Sequence, residues 1–290
     1  MSETNTLLLK SNLKQLRLPA MHAECEKLAR EAAAANEGYE QYLLRLTELE
    51  VAARAANVLK ARIKQAAFPV HKDFDSYDFS AMPSLNKPKI LELARGEWID
   101  QHANCCFLGS TGTGKTHLTI ALGLAACRQN RKVRFFTAAS LVTYLEAAQK
   151  QYQLERFLTQ LDKTDLLICD ELGYVSFSRS SAELLFQVFA ERYERKSLLL
   201  TSNLPFSEWA QIFVSVVPTH GGPCLARTGI GLREAWVAAN ARMCRRAAVE
   251  LYESPAGAGR GGCQRSGSHW RRTSGAGSGS WARRWRRSWM

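Results

Sequence analysis

Eight consecutive residues, Gly109-Ser-Thr-Gly-Thr-Gly-Lys-Thr116, have the types and spacing that can grip a phosphate chain. Glycines let the backbone wrap closely around an anion, where side chains would block its approach. Amides from about Gly112 to Thr116 are then expected to point at phosphate oxygens, aided by the positive end of the following helix. Gly109, Ser110, Thr111, Gly112, Thr113, Gly114, Lys115 and Thr116 are therefore the candidate nucleotide-binding residues. The Lys115 ammonium is expected to span the β- and γ-phosphates of ATP, and the Thr116 hydroxyl to bind Mg2+. A plain glycine-rich turn would share this composition. The context favours a cradle, because the motif follows the apolar run Cys105–Leu108 and precedes a helical stretch.

A second constellation is Leu166-Leu-Ile-Cys-Asp170-Glu171, an apolar strand ending on two carboxylates. That position puts them at the carboxyl edge of a parallel sheet, where ligands bind. Asp170 is expected to hold magnesium, directly or through water, and Glu171 to orient and polarise the attacking water. A kinase has less use for such a glutamate, so the pair favours hydrolysis. Asn203, directly after the run Leu198–Thr201, is the third candidate, its amide placed to meet the γ-phosphate and the water; a strand-ending turn at Asn203-Leu-Pro205 is the other reading. His117, in the first helical turn, reads as an oriented surface histidine.

These groups need a scaffold. Strands are expected at Cys105–Leu108, Val133–Thr137, Leu166–Asp170 and Leu198–Thr201, with helices near Thr116–Gln129, Ala139–Gln149 and Ala182–Arg195 between them. Short, continuously apolar strands alternating with helices give an α/β fold, a parallel sheet covered on both faces. Residues 1–67 read as a small all-helical domain. Pro19 opens one helix, and Tyr42, Leu46, Leu49, Ala53 and Ala56 form an apolar stripe on another. Its basic residues are either a solvated face or a surface for DNA or a partner. Residues 68–103 read as a connector, with a short helix from about Lys89 to Trp98 and with Phe74, Tyr77 and Phe79 available to pin it.

The net charge of +12 lies almost wholly in the tail. Residues 214–290 carry 13 arginines, no lysine and three acids, whereas residues 1–213 carry 26 basic and 24 acidic residues. The tail also holds 12 of the 19 glycines and five of the seven tryptophans, a mixture that cannot bury a core and is expected to be disordered from about residue 254. The eight cysteines include no CxxC pair, and Cys105, Cys106 and Cys169 fall in apolar runs, as buried thiols do. No apolar run approaches the roughly 18 residues of a membrane span, and the start Met-Ser-Glu-Thr-Asn-Thr-Leu lacks the basic opening of a signal peptide. A cytoplasmic protein without membrane attachment is expected.

Taken together, Gly109–Thr116 with His117-Leu118, Val133–Ala138, Asp165–Tyr174, Ala182–Gln187 and Thr201–Trp209 resemble the IstB-type ATP-binding proteins, the transposition helpers of bacterial insertion elements. The resemblance covers roughly residues 5–213. It implies a P-loop ATPase of the AAA+ class, related to DnaC-like helicase loaders, that works as a homo-oligomer on double-stranded DNA with a partner transposase. In that frame Asn203 senses the γ-phosphate, and residues 104–213 form the ATPase domain. A replicative helicase loader and a nucleotide-binding remnant without efficient turnover are the alternatives.

Beyond Phe213 the family pattern continues with a helix carrying a trans-acting arginine and then a last strand. Residues 214–290 show neither, and Arg227, Arg233 and Arg242 lack the expected context. The lysine-free tail is what a shifted reading frame near codon 213 would leave; an arginine-rich tail that stacks on bases is the other origin. A truncated ATPase domain, an unpaired sheet edge and weak turnover are the expectations.

Overall fold

Three helices, α1 (Glu3–Gln15), α2 (Pro19–Ala34) and α3 (Tyr39–Ala66), open the chain in a computed structural model that describes residues 3–83, 85–174, 177–193, 195–205, 208–209 and 248–251. Pro19 occupies the first turn of α2, where a missing N–H is harmless. Asn36, at φ 55°, ends it, with the Glu37 N–H returning to the Ala32 carbonyl at 2.9 Å. Leu13, Cys25, Leu28 and Leu46 form a small core between the helices.

The expected stripe on α3 holds only in part. Tyr42 and Leu46 pack inward, but Leu49 is 40% exposed and the buried position is Glu50. The Glu50 carboxylate accepts the Ala20 and Met21 N–H groups at 2.9 and 3.2 Å, capping α2 from a neighbouring helix. Burial opposes its ionisation, yet Arg54 and the two amides together hold the carboxyl below its ordinary value. Further along α3, Leu59, Ile63 and Ala66 leave this core and pack against the sheet. Arg62 donates to Asn130 Oδ1 and Arg134 to the Gln65 carbonyl, fastening that end.

The connector carries α4 (Lys87–Ala94) and α5 (Glu97–Asp100) in place of one helix from Lys89 to Trp98. Gly96, at φ 77°, breaks them apart. The sheet then builds through β1 (Cys105–Gly109), α6 (Lys115–Arg128), β2 (Val133–Thr137), α7 (Ala138–Lys150), α8 (Leu154–Asp162), β3 (Leu166–Leu172), α9 (Arg179–Arg192) and β4 (Ser197–Ser202). Of these, α8 had no counterpart among the expected elements. Alternate strand residues feed two cores. Phe107, Phe135, Ile168 and Leu199 face the helices of one layer, whereas Leu108, Phe136, Cys169 and Leu200 face the other. The fold is a parallel sheet with helices on both faces, preceded by a small helical unit. No helix among the described residues is long and apolar enough to cross a membrane.

One expectation is overturned. The edge beside β1 is paired, because β5 (Ala248–Leu251) lies parallel to it, with Cys106 opposite Ala248 and Gly109 opposite Leu251. The sheet therefore has the order β2-β3-β4-β1-β5. Ladder hydrogen bonds come from the main chain, so four residues suffice without any sequence period. Arg227, Arg233, Arg242 and the expected disorder from residue 254 lie outside the described residues.

Arg192 ties the base of this scaffold. It is buried, and its guanidinium donates to the carbonyls of Leu161, Thr164 and Ser197 at 2.9, 3.1 and 3.0 Å, joining α8, the turn that leads into β3, and β4. Burial lowers its pKa to about 10, so it remains a cation at neutral pH. Arg192→Leu leaves those carbonyls buried without a donor and is expected to lower stability by about 3 kcal/mol. An unchanged urea midpoint would show that the carbonyls find other partners.

Candidate nucleotide-binding site

The strand β1 ends at Gly109, and α6 begins at Lys115, so residues 110–114 form the turn between strand and helix. Gly112 and Gly114 lie at φ 88° and 78°, a region that side-chain-bearing residues avoid. A Cβ at Gly114 would also stand 2.9 Å from the Tyr77 ring, so glycine is needed there twice over. Thr113 is buried and donates to the Ser110 carbonyl at 2.9 Å, holding the loop closed. Lys115 Nζ donates to the Gly109 and Ser110 carbonyls at 2.8 and 2.6 Å, which places the ammonium at the mouth of the loop. Burial pushes its pKa below the ordinary lysine value, and Asp170 opposes that shift.

The strand β3 brings the carboxylates to the same place. Thr116 Oγ1 donates to Asp170 Oδ2 at 2.8 Å, joining residues 54 apart in sequence. Asp170 is buried, whereas Glu171 is exposed at φ 62°. Gly173 follows at φ 90° and turns the chain away. Asn203 stands just beyond β4. Its Oδ1 is buried with no hydrogen-bond partner among the described residues. The Ser202 hydroxyl donates to the Leu172 carbonyl at 2.7 Å, and buried Trp209 donates to the Leu204 carbonyl, fixing the loop that carries Asn203.

All of the residues singled out for the cradle and its carboxylates thus meet at one end of the sheet. A profile of the IstB-like ATP binding proteins matches residues 11–220. The chain belongs to the IstB-like ATP-binding protein family. Among its relatives, the insertion sequence IS5376 ATP-binding protein of Geobacillus stearothermophilus is 39% identical over 198 residues, covering 68% of this chain and 79% of that protein. The insertion sequence IS21 ATP-binding protein of Pseudomonas aeruginosa is 34% identical over 201 residues, covering 69% and 76%. The AMPPCP-bound DnaA of Aquifex aeolicus is similar in structure at 18% identity with a TM-score of 0.49, covering 64% of this chain and about half, 51%, of its own. This IstB-like chain is an ATP-binding protein, as its family and relatives are described.

Two features of the IstB-like site were only partly legible in the sequence, which named Tyr77 as a ring available to pin the connector but not what it pins. Tyr77 of the connector lies against Gly114, and its ring meets His117 edge-on at 5.0 Å. His117 Nε2 sits 2.8 Å from the Asp73 carbonyl, so this histidine fastens the connector to the first turn of α6 instead of decorating a free surface. Thr201 is the second; it is buried on β4 and touches both Asp170 and Glu171. Its only signal was a hydroxyl at the end of an apolar run. Among the described residues Cys25, Cys105, Cys106, Cys127 and Cys169 are buried, as expected of thiols in apolar runs, and burial pushes Cys127 up to about 11.

Proposed function

We propose that this IstB-like protein hydrolyses ATP with magnesium and acts as a cytoplasmic homo-oligomer on double-stranded DNA, helping a transposase engage its target. The observation that carries hydrolysis is the Thr116–Asp170 contact, which joins the cradle to a strand end bearing a further, exposed carboxylate. Lys115 binds the β- and γ-phosphates from the mouth of the loop. Thr116 and Asp170 would hold magnesium, offering two oxygen ligands of the kind it takes. Magnesium, when bound, neutralises charge that develops on the phosphates. Glu171 orients a water for attack, and Asn203, just beyond β4, meets that water and the γ-phosphate through its side-chain amide.

The roles in DNA and transposase engagement rest on the relatives, which are named as proteins of insertion sequences. Residues 1–67 are the part proposed to face those partners. In support, α1 and α3 leave Leu7, Leu8, Leu43 and Leu44 more than half exposed. Fluorescence anisotropy with a labelled duplex tests the reading. ATP is expected to raise the apparent affinity of the full chain about tenfold over the nucleotide-free protein. Duplex binding indifferent to nucleotide, or no duplex binding at all, would overturn it.

A further inference from the structure

The Thr201 hydroxyl stands between the two carboxylate residues. It donates its single proton to Asp170 Oδ1 and accepts the Glu171 N–H at 2.8 Å. Asp170 Oδ2 is taken by Thr116, so each oxygen of this buried carboxylate is held by a threonine, one on α6 and one on β4. The contact falls where the pairing of β3 with β4 shifts register, between Cys169 and Leu172. Irregularities of this kind re-aim a side chain. Here the residue re-aimed is Glu171, whose left-handed backbone turns it out to solvent between buried Asp170 and Leu172. Without a local restraint an L-residue avoids that conformation, because its Cβ crowds the next carbonyl. Thr201 supplies the restraint.

We propose that Thr201 is a positioning residue for hydrolysis at this site, its hydroxyl setting the Asp170 carboxylate for the metal and holding the Glu171 backbone in place. The proposal rests on the reading of the chain as a magnesium-dependent ATPase. Only a group that donates and accepts at once can fill the role, which serine shares and valine, equal in shape to threonine, does not.

The test compares Thr201→Val with Thr201→Ser in the full chain. Thr201→Val is expected to lower kcat, and the affinity of the ATP complex for Mn2+ followed by electron paramagnetic resonance, by about 10–100-fold. ATP affinity in EDTA should stay with the parent, and Thr201→Ser should recover both losses. Parent-like kcat and Mn2+ affinity in Thr201→Val would overturn the proposal. So would a Thr201→Ser chain as impaired as Thr201→Val, since packing would then be the cause. Should Thr201→Val fail to give a cooperative thermal melt, Thr201→Cys, a weak donor close to serine in size, replaces it. A parent chain that binds ATP and Mn2+ without turnover would end the hydrolytic reading, and the Mn2+ comparison would still decide on Thr201. If the parent binds no ATP, amide exchange at Glu171 decides: faster in Thr201→Val than in Thr201→Ser supports the clamp, and equal rates remove it.

Discussion

Lys115→Ala is expected to weaken ATP binding at least about 10²-fold while leaving the far-ultraviolet circular dichroism of the chain unchanged. The size follows from two charge-assisted hydrogen bonds to the β- and γ-phosphates, each contributing about 1.5–3 kcal/mol. The selectivity follows from where the side chain lies. Its present partners are the Gly109 and Ser110 carbonyls and the Thr113 hydroxyl, all within the loop itself, and Lys115 belongs to neither core, so alanine should leave both intact. Titration with a fluorescent ATP analogue makes the measurement. Equal affinity in parent and variant would remove the cradle assignment, whatever the sequence pattern says.

Glu171→Gln separates binding from chemistry. Glutamine keeps the length of the side chain and the backbone N–H that Thr201 accepts, so the local conformation should persist. Asp170 and Thr116, the proposed metal ligands, are untouched. ATP should therefore bind as in the parent, while hydrolysis falls at least about 10²-fold, the usual contribution of a positioned base. Turnover at the parent rate would make Glu171 a bystander and pass the water to another group, with Asn203 the nearest candidate. The two substitutions form a pair with opposite signatures: one loses ligand, the other loses rate.

How much of this was legible beforehand depended on whether chemistry or packing set the residue. The cradle was legible because wrapping a phosphate demands glycines, a lysine and a hydroxyl at fixed offsets, and few other tasks do. The strands β1, β3 and β4 were legible because their buried residues read as apolar runs, and β2, at the sheet edge, kept enough of that signal in Val133, Phe135 and Phe136 despite its half-buried Arg134. Glu50 was not. A carboxylate among apolar neighbours on α3 looks solvent-facing until the start of α2 is seen to need an acceptor. Thr201 was hidden for a similar reason, since a threonine is ordinary in a strand and only the register shift opposite it creates its task. The strand β5 was obscured by arginine-rich surroundings, and four main-chain pairs leave almost no trace in composition. Residues whose partners are distant in sequence are the ones a linear reading misses.

The 28-residue helix α3 has a mechanical meaning that its packing alone does not convey. At 1.5 Å per residue it is a rod about 42 Å long. One end is clamped in the core beside β2 and α6, the other carries the α1–α2 cap, and residues 54–58 between them are exposed. A rod fixed at one end is a lever. A tilt of about 10° at the clamped end displaces the far tip by about 7 Å for a rod of that length. The connector, which leaves the clamped end of α3 and reaches the cradle at Tyr77 and His117, lies at the fulcrum. Any tilt at that end, whatever its source, is thus enlarged along the rod into a movement of side-chain size at the helical cap.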